Sequence, residues 1–156
     1  MRRKDREVKD EEKMLEILKS CDCCRLGFME EEGAYIVPLN FGCEKTKEGL
    51  VLYFHSAKAG KKMELLKSQD RVSFEMDTRH ELTQGNAACE YSYLYQCIMG
   101  KGRIRILENY EEKVHGLQKV MEHYSSGDSW EFPEKMVSAV AVLKLEVTKW
   151  SCKEHV

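Results

Sequence analysis

The chain has 156 residues, enough for one domain with a real core: 42% are apolar and 33% charged. Its net charge of −2 gives no electrostatic case for nucleic acid, because the mixed basic start (Arg2, Arg3, Lys4, Arg6) is soon balanced by Asp10, Glu11 and Glu12. No apolar run approaches the roughly 18–20 residues that cross a bilayer, and the N-terminus lacks the apolar centre of a signal peptide, so a cytoplasmic location without membrane contact is expected. Seven cysteines, an odd number in no secreted-framework spacing, fit reduced thiols better than disulfides.

Residues 8–20 place Val8, Met14, Leu15, Ile17 and Leu18 at helical spacing, with Asp10 as the capping residue. A short strand over 25–30 and a turn at Glu30-Glu-Glu-Gly33 lead to a second strand over 34–42. Pro38 within that strand cannot donate to a ladder, so the strand should lie at an edge, carry a bulge or open towards a ligand there. A polar turn is expected over 43–49.

Leu50-Val-Leu-Tyr-Phe54 then reads as a buried strand, followed by His55, Ser56 and a lysine-loaded helix that Ser56 would cap. On that helix Ala59, Met63 and Leu66 share one face, while Lys58, Lys61 and Lys62 crowd the adjacent one. Like charges at this spacing repel, and the positive end of a helix disfavours cations in the first turn. An anion, a phosphate above all, would reverse both penalties; the plain alternative is a solvated lysine face.

Further on, a strand over 71–76 and a long polar loop over 77–88 precede a strand over 93–107. Gly100 and Gly102 share a face of that strand with Ile104 and Ile106, the mark of a bend or of a close approach by backbone or ligand. A helix over 108–124 carries Val114, Leu117, Val120, Met121 and Tyr124 as its apolar stripe. A loop with a turn at Gly127-Asp128, a short helix over 133–138 and a strand over 139–148 follow. About six mostly antiparallel strands without βαβ alternation and without a Gly-x-Gly-x-x-Gly fingerprint favour a closed or split barrel over a dinucleotide-binding parallel sheet.

Tyr35-Ile-Val-Pro-Leu-Asn-Phe-Gly42, followed by Tyr53-Phe-His-Ser-Ala57, Gly60 and Lys62, resembles the NimA-like, 5-nitroimidazole-resistance-type flavoproteins of the pyridoxamine 5′-phosphate oxidase-like split-barrel superfamily. Met1-Arg-Arg-Lys-Asp-Arg-Glu7, the segment 89–102 and Trp130-Glu-Phe-Pro133 are similar to that family too, so the resemblance covers nearly the whole chain. It implies a mainly β fold with α (α+β): a single antiparallel FMN-binding split β-barrel domain over 1–156, with flanking helices. It further implies a homodimer with FMN at the subunit interface, parts of each pocket coming from both chains.

Carried over by resemblance, the cofactor-binding set is Val37, Pro38, Leu39, Asn40, His55, Ser56, Ala57, Lys61, Lys62, Cys97, Ile98 and Gly100. Ser56, Lys61 and Lys62 would meet the phosphate; Pro38 to Phe41 and Cys97 to Gly100 would supply walls and backbone partners. Relatives tend to carry Arg where this chain has Lys61, so a bidentate fork is replaced by a point charge, and often Ser where it has Cys97. His55, beside the cofactor and able to titrate near neutral pH, is the catalytic candidate; the alternative is a plain hydrogen bond to cofactor or backbone.

The implied activity is an oxidoreductase that takes electrons from NAD(P)H or a similar donor and reduces a small electrophile such as a nitro-aromatic. The alternatives are a non-catalytic flavin-binding or redox-sensing module and a pyridoxamine 5′-phosphate oxidase-type enzyme; against the latter, no arginine-rich segment lies near the C-terminus. Cys21, Cys23 and Cys24 lack the paired Cys-x-x-Cys knuckles of a zinc ribbon and read as small apolar thiols. Tyr91, Tyr93 and Tyr95, with Trp130 and Trp150, read first as packing residues.

Overall fold

The computed structural model describes residues 3–127 and 129–156. Met1 and Arg2 of the N-terminal motif, and Asp128 of the expected turn, lie outside the described residues.

The strands are β1 (Glu7–Val8), β2 (Cys24–Glu30), β3 (Gly33–Leu39), β4 (Gly42–Lys45), β5 (Leu50–Ser56), β6 (Arg71–Thr83), β7 (Ser92–Ile106) and β8 (Ala141–His155). The α-helices are α1 (Glu11–Lys19), α2 (Lys61–Leu65), α3 (Tyr110–Tyr124) and α4 (Glu134–Ala139). All the strand pairings are antiparallel. In space the order runs β3-β2-β6-β7-β8-β5-β4, with β1 added to β8. The two edge strands, β3 and β4, are joined in the chain by Asn40 and Phe41, which gives the antiparallel split barrel with flanking helices that the sequence led us to expect.

Alternation builds the core. Leu26 and Phe28 of β2, Phe74 and Met76 of β6, Ile98 of β7 and Leu145 of β8 all point inward. Strand β5 is buried on both faces: Leu50, Leu52 and Phe54 join the barrel core, while Val51 and Tyr53 pack under α3 with Leu107, Val120 and Val142. Its continuous apolar run has this cause. Helix α1 is capped as expected, Lys13 N–H donating to Asp10 Oδ1 at 2.8 Å.

Several boundaries differ from the expectation. Val8 is not helical but pairs with Cys152 on β8, so the helix starts at Glu11. The polar turn over 43–49 begins as β4, paired with β5, because α3 covers it: a Cβ on Gly42 would stand 2.2 Å from the Lys119 backbone. Glu44 is held there by Tyr53, whose hydroxyl donates to Oε1 at 2.6 Å, and by His115, whose Nε2 lies 3.1 Å from Oε2. The loop over 77–88 is largely strand, since β7 continues to pair with β6 as far as Thr83↔Ser92; a bulge between Thr78 and Glu81 puts Arg79 at φ 58°. Strand β8 runs on to His155 because β7 and β1 both pair with its second half. The described residues therefore hold eight strands, not six.

Candidate functional site

His55 and Ser56 end β5, opposite Val142 and Ala141 of β8. The strand leaves the core there: Phe54 is buried, His55 is exposed and Ser56 half-buried. Ser56 does not cap a helix. Its hydroxyl donates to the Ala57 carbonyl at 3.0 Å, and Ala57, Lys58 and Ala59 are exposed chain ahead of α2. Gly60, at φ 114°, makes the turn into the helix, a conformation that suits glycine. Lys58 and Ala59 therefore share no helical face with Lys61, Lys62 and Met63.

The two remaining lysines differ. Lys61 Nζ lies 2.8 Å from Glu30 at the end of β2 and 4.9 Å from the centre of the Tyr35 ring on β3, so its charge is matched within the chain. Lys62 is half-buried and makes no ion pair among the described residues; burial lowers its pKa. Of the two lysines expected to meet a phosphate, Lys62 is thus the one whose ammonium is partly desolvated and without a counter-charge among the described residues.

Strand β3 is an edge, which accounts for Pro38: it is exposed and pairs with Arg25 on its one occupied side. Val37 and Leu39 are half-buried against the core, and Asn40 is exposed just past the strand end. On β7, Ile98 is buried, whereas Cys97 and Gly100 are partly exposed. The Cys97 thiol is pushed up by burial, which outweighs the nearby Lys153 ammonium.

The structure brings Val37 and Pro38 into the same sheet rows as Gly100 and Met99. Pro38, Arg25, Glu75 and Met99 form one such row across β3, β2, β6 and β7. It does not bring His55 and Ser56 to that row. On β8 their partner Val142 and the Cys97 partner Lys153 are eleven residues apart, about 35 Å of extended chain. Along β8, Cys97 and Ile98 are thus well separated from His55 and Ser56, whereas β3 lies near the latter: Gly42, just past β3, pairs with Tyr53, and Lys61 reaches Tyr35.

On the outer face of the sheet those rows hold an apolar cavity of about 520 Å³, lined by Gly27, Ala34, Ile36, Met99 and Gly100 with Arg25 at its rim. Arg25 donates to Asp77 at 2.6 Å and to Glu75 at 3.0 Å, so its charge is spent within the sheet. Ile36 is 62% exposed and Met99 39%, high for large apolar side chains. Sequence reasoning missed both; the signal was that each alternates with residues already named, Val37 and Ile98. Gly100 and Gly102 do answer to close approaches. A Cβ would stand 2.4 Å from the Phe74 ring at Gly100 and 2.1 Å from the Glu146 carbonyl oxygen at Gly102.

Trp150 packs against the core, while Tyr91 and Tyr93 are exposed and His80 stacks on Tyr93 at 6.1 Å. All seven thiols are free; Cys21, Cys24 and Cys152 are buried. Among the described residues no cluster of three His, Cys, Asp or Glu side chains could hold a metal ion, and no helix is long and apolar enough to cross a membrane.

Comparison with known proteins adds the lineage. The pyridoxamine 5′-phosphate oxidase family profile matches residues 10–154. A crystal structure of a candidate 5-nitroimidazole antibiotic resistance protein from Bacteroides thetaiotaomicron is 31% identical, with a TM-score of 0.82 over 95% of this chain and 86% of that one. The flavocytochrome Anf3 from Azotobacter vinelandii (TM-score 0.82, 20% identity, 100% of this chain and 72% of that one) shares the fold. So does an FAD- and haem-binding protein from Mycobacterium smegmatis (TM-score 0.80, 14% identity, 96% and 73%). Among proteins with curated descriptions none matches. With the edge proline, the β5–α2 junction and the barrel order in place, the family match over nearly the full length means that this chain belongs to the pyridoxamine 5′-phosphate oxidase family.

Proposed function

We propose that the protein is an FMN-dependent oxidoreductase that works as a homodimer and reduces a small electrophile such as a nitro-aromatic. The observation that carries the reading is Lys62: a half-buried ammonium with no counter-charge among the described residues, a short stretch of chain beyond Ser56. Its neighbour Lys61 reaches Tyr35 on β3, the edge strand that bears Val37, Pro38 and Leu39. These residues fit a flavin phosphate, with Lys62 as the charge partner and Ser56, Ala57 and the paired Lys61 as its surroundings. The spacing supports the dimer. The β8 partners of Cys97 and Ile98 lie eleven and ten residues from that of His55, so a second copy would bring one of the two groups to a shared flavin.

Bound flavin would accept two electrons from a reduced nicotinamide and release them to the acceptor. This chain contributes orientation along β3, charge at Lys62 and a polar group at His55, exposed at the strand end where a substrate can reach it. The likeness to the Bacteroides protein supports the nitro-aromatic acceptor, and the free thiols favour the reducing cytoplasm.

The test is the absorption spectrum and mass of freshly purified protein, which should show dimeric protein carrying FMN. Anaerobic reduction by NADH or NADPH, followed by a nitro compound, should then give reoxidation faster than without it. Reoxidation that no acceptor accelerates would favour a binding module without turnover, and colourless protein that ignores added FMN would sink the flavin reading.

A further inference from the structure

Next to the apolar cavity, on the same outer face, lies a second cavity of about 460 Å³ that shares Gly27 and Ser73 with it. Its walls are cationic. Arg71 on β6 stands directly opposite Arg103 on β7, and Lys101, one outward position along, faces Lys149 on β8. Like charges in directly opposed positions destabilise a sheet. Here two such pairs are neighbours, in a chain whose net charge is negative.

Glu146, opposite Arg103 on β8, pairs with Lys144 at 3.1 Å, so little on the protein offsets them. Among the described residues Arg71, Lys101 and Lys149 form no ion pair, and Arg103 has only Asp70, at 3.9 Å with both side chains more than 60% exposed. The sheet is also shaped at this point. The register of β7 and β8 shifts between Lys101 and Gly102, leaving Thr148 as the extra residue of a bulge. Thr148 lines the cavity, its hydroxyl donating to the Lys101 carbonyl at 3.1 Å. Bulges re-aim side chains and recur beside functional sites.

We propose that Arg71, Lys101 and Arg103 form an anion subsite that holds the phosphates of a dinucleotide electron donor, with the adjoining apolar cavity available to one of its rings. This deepens the flavoenzyme reading and rests on it for the donor's identity. Guanidinium pairs suit phosphate oxygens, and Lys101 adds a point charge. A donor with several negative charges would otherwise meet a chain of like net sign, so a local basic face also raises its rate of encounter. The flavin phosphate assigned to Lys62 calls on none of these three side chains.

The test is equilibrium binding of NADP+ to the purified protein by calorimetry, for wild type, Arg71→Gln, Arg103→Gln and the double variant, with flavin content read from absorbance. The exposed positions and the relief of repulsion should leave folding intact, which a thermal melt checks. The double variant should bind at least about tenfold more weakly and lose most of the salt dependence, with flavin content unchanged. Wild type that fails to bind NADP+, or a double variant that binds as tightly as wild type, overturns the proposal. The two readings separate. Colourless protein that binds NADP+ through Arg71 and Arg103 keeps the anion subsite and ends the flavin reading. Yellow protein whose double variant binds NADP+ undiminished does the reverse.

Discussion

The Lys61 ammonium sits 2.8 Å from the Glu30 carboxylate, whereas its neighbour Lys62 turns into a half-buried position with no carboxylate to meet it among the described residues. Adjacent lysines on a five-residue helix thus differ: one ties α2 to the β2–β3 hairpin, and the other is the proposed phosphate partner. Lys62→Ala should therefore weaken FMN binding by about tenfold to a hundredfold, the worth of one hydrogen bond to a charged group. Lys61→Ala should cost less. Fluorescence titration of flavin-free protein measures both, and equal losses would return the site to the shared-lysine arrangement.

His55 is exposed at the end of β5 and makes no side-chain hydrogen bond among the described residues. His55→Ala should lower turnover with a nitro-aromatic acceptor while flavin content per chain stays near wild type. Parallel loss of the two would make the imidazole a cofactor ligand instead.

Gly102 has no room for a side chain, because the Glu146 carbonyl oxygen occupies the place a Cβ would take. Gly102→Ala should force the β7–β8 ladder apart at the bulge and cost about 1–3 kcal/mol, as overpacking does. A thermal melt should fall by about 2–4 °C for each kcal/mol lost. Gly33 offers a contrast: a Cβ there would have nothing within 4 Å, so its φ of 154° rather than space is the constraint.

Asp77 and Glu44 are among the carboxylates whose pKa the fold lowers. At Asp77 burial raises the pKa, but the Arg25 bond and charge, with His80, more than offset it and hold the group low. At Glu44 burial acts the same way and is outweighed by the Tyr53 and His115 bonds. A carboxyl group whose pKa is depressed by folding adds stability that is present above its unfolded pKa and lost as pH falls through the folded one. Urea midpoints should be flat at neutral pH and drop below about pH 4. Glu44→Gln with Asp77→Asn should flatten that drop, and an unchanged acid limb would show that other groups carry it.

Thiol accessibility follows burial. Cys89 is exposed in the turn that joins β6 to β7, while the Cys21 thiol is pushed up to about 12 and Cys152 to about 11 by burial. A disulfide reagent should label Cys89 first in native protein and reach Cys21, Cys24 and Cys152 only on unfolding. Prompt labelling of Cys152 would mean that β8 opens from β1.

Local pattern alone indicated the burial of the 50–54 run and the Asp10 cap, and narrowed Pro38 to an edge, a bulge or an opening towards a ligand, because each depends on neighbours within a few residues. A continuous apolar run, a cap three residues from its N–H donor and a proline without a donor are local facts. The residue motifs likewise sufficed to place the chain in its family. What the tertiary structure alone decided depends on partners distant in sequence. Glu30 pairs with Lys61, Gly60 rather than Ser56 opens α2, and β7 draws residues 77–83 into a strand. The separation of His55 from Cys97 along β8, and the meeting of Arg71 with Arg103, are matters of register, which pairs residues 32 positions apart and has no short-range signature.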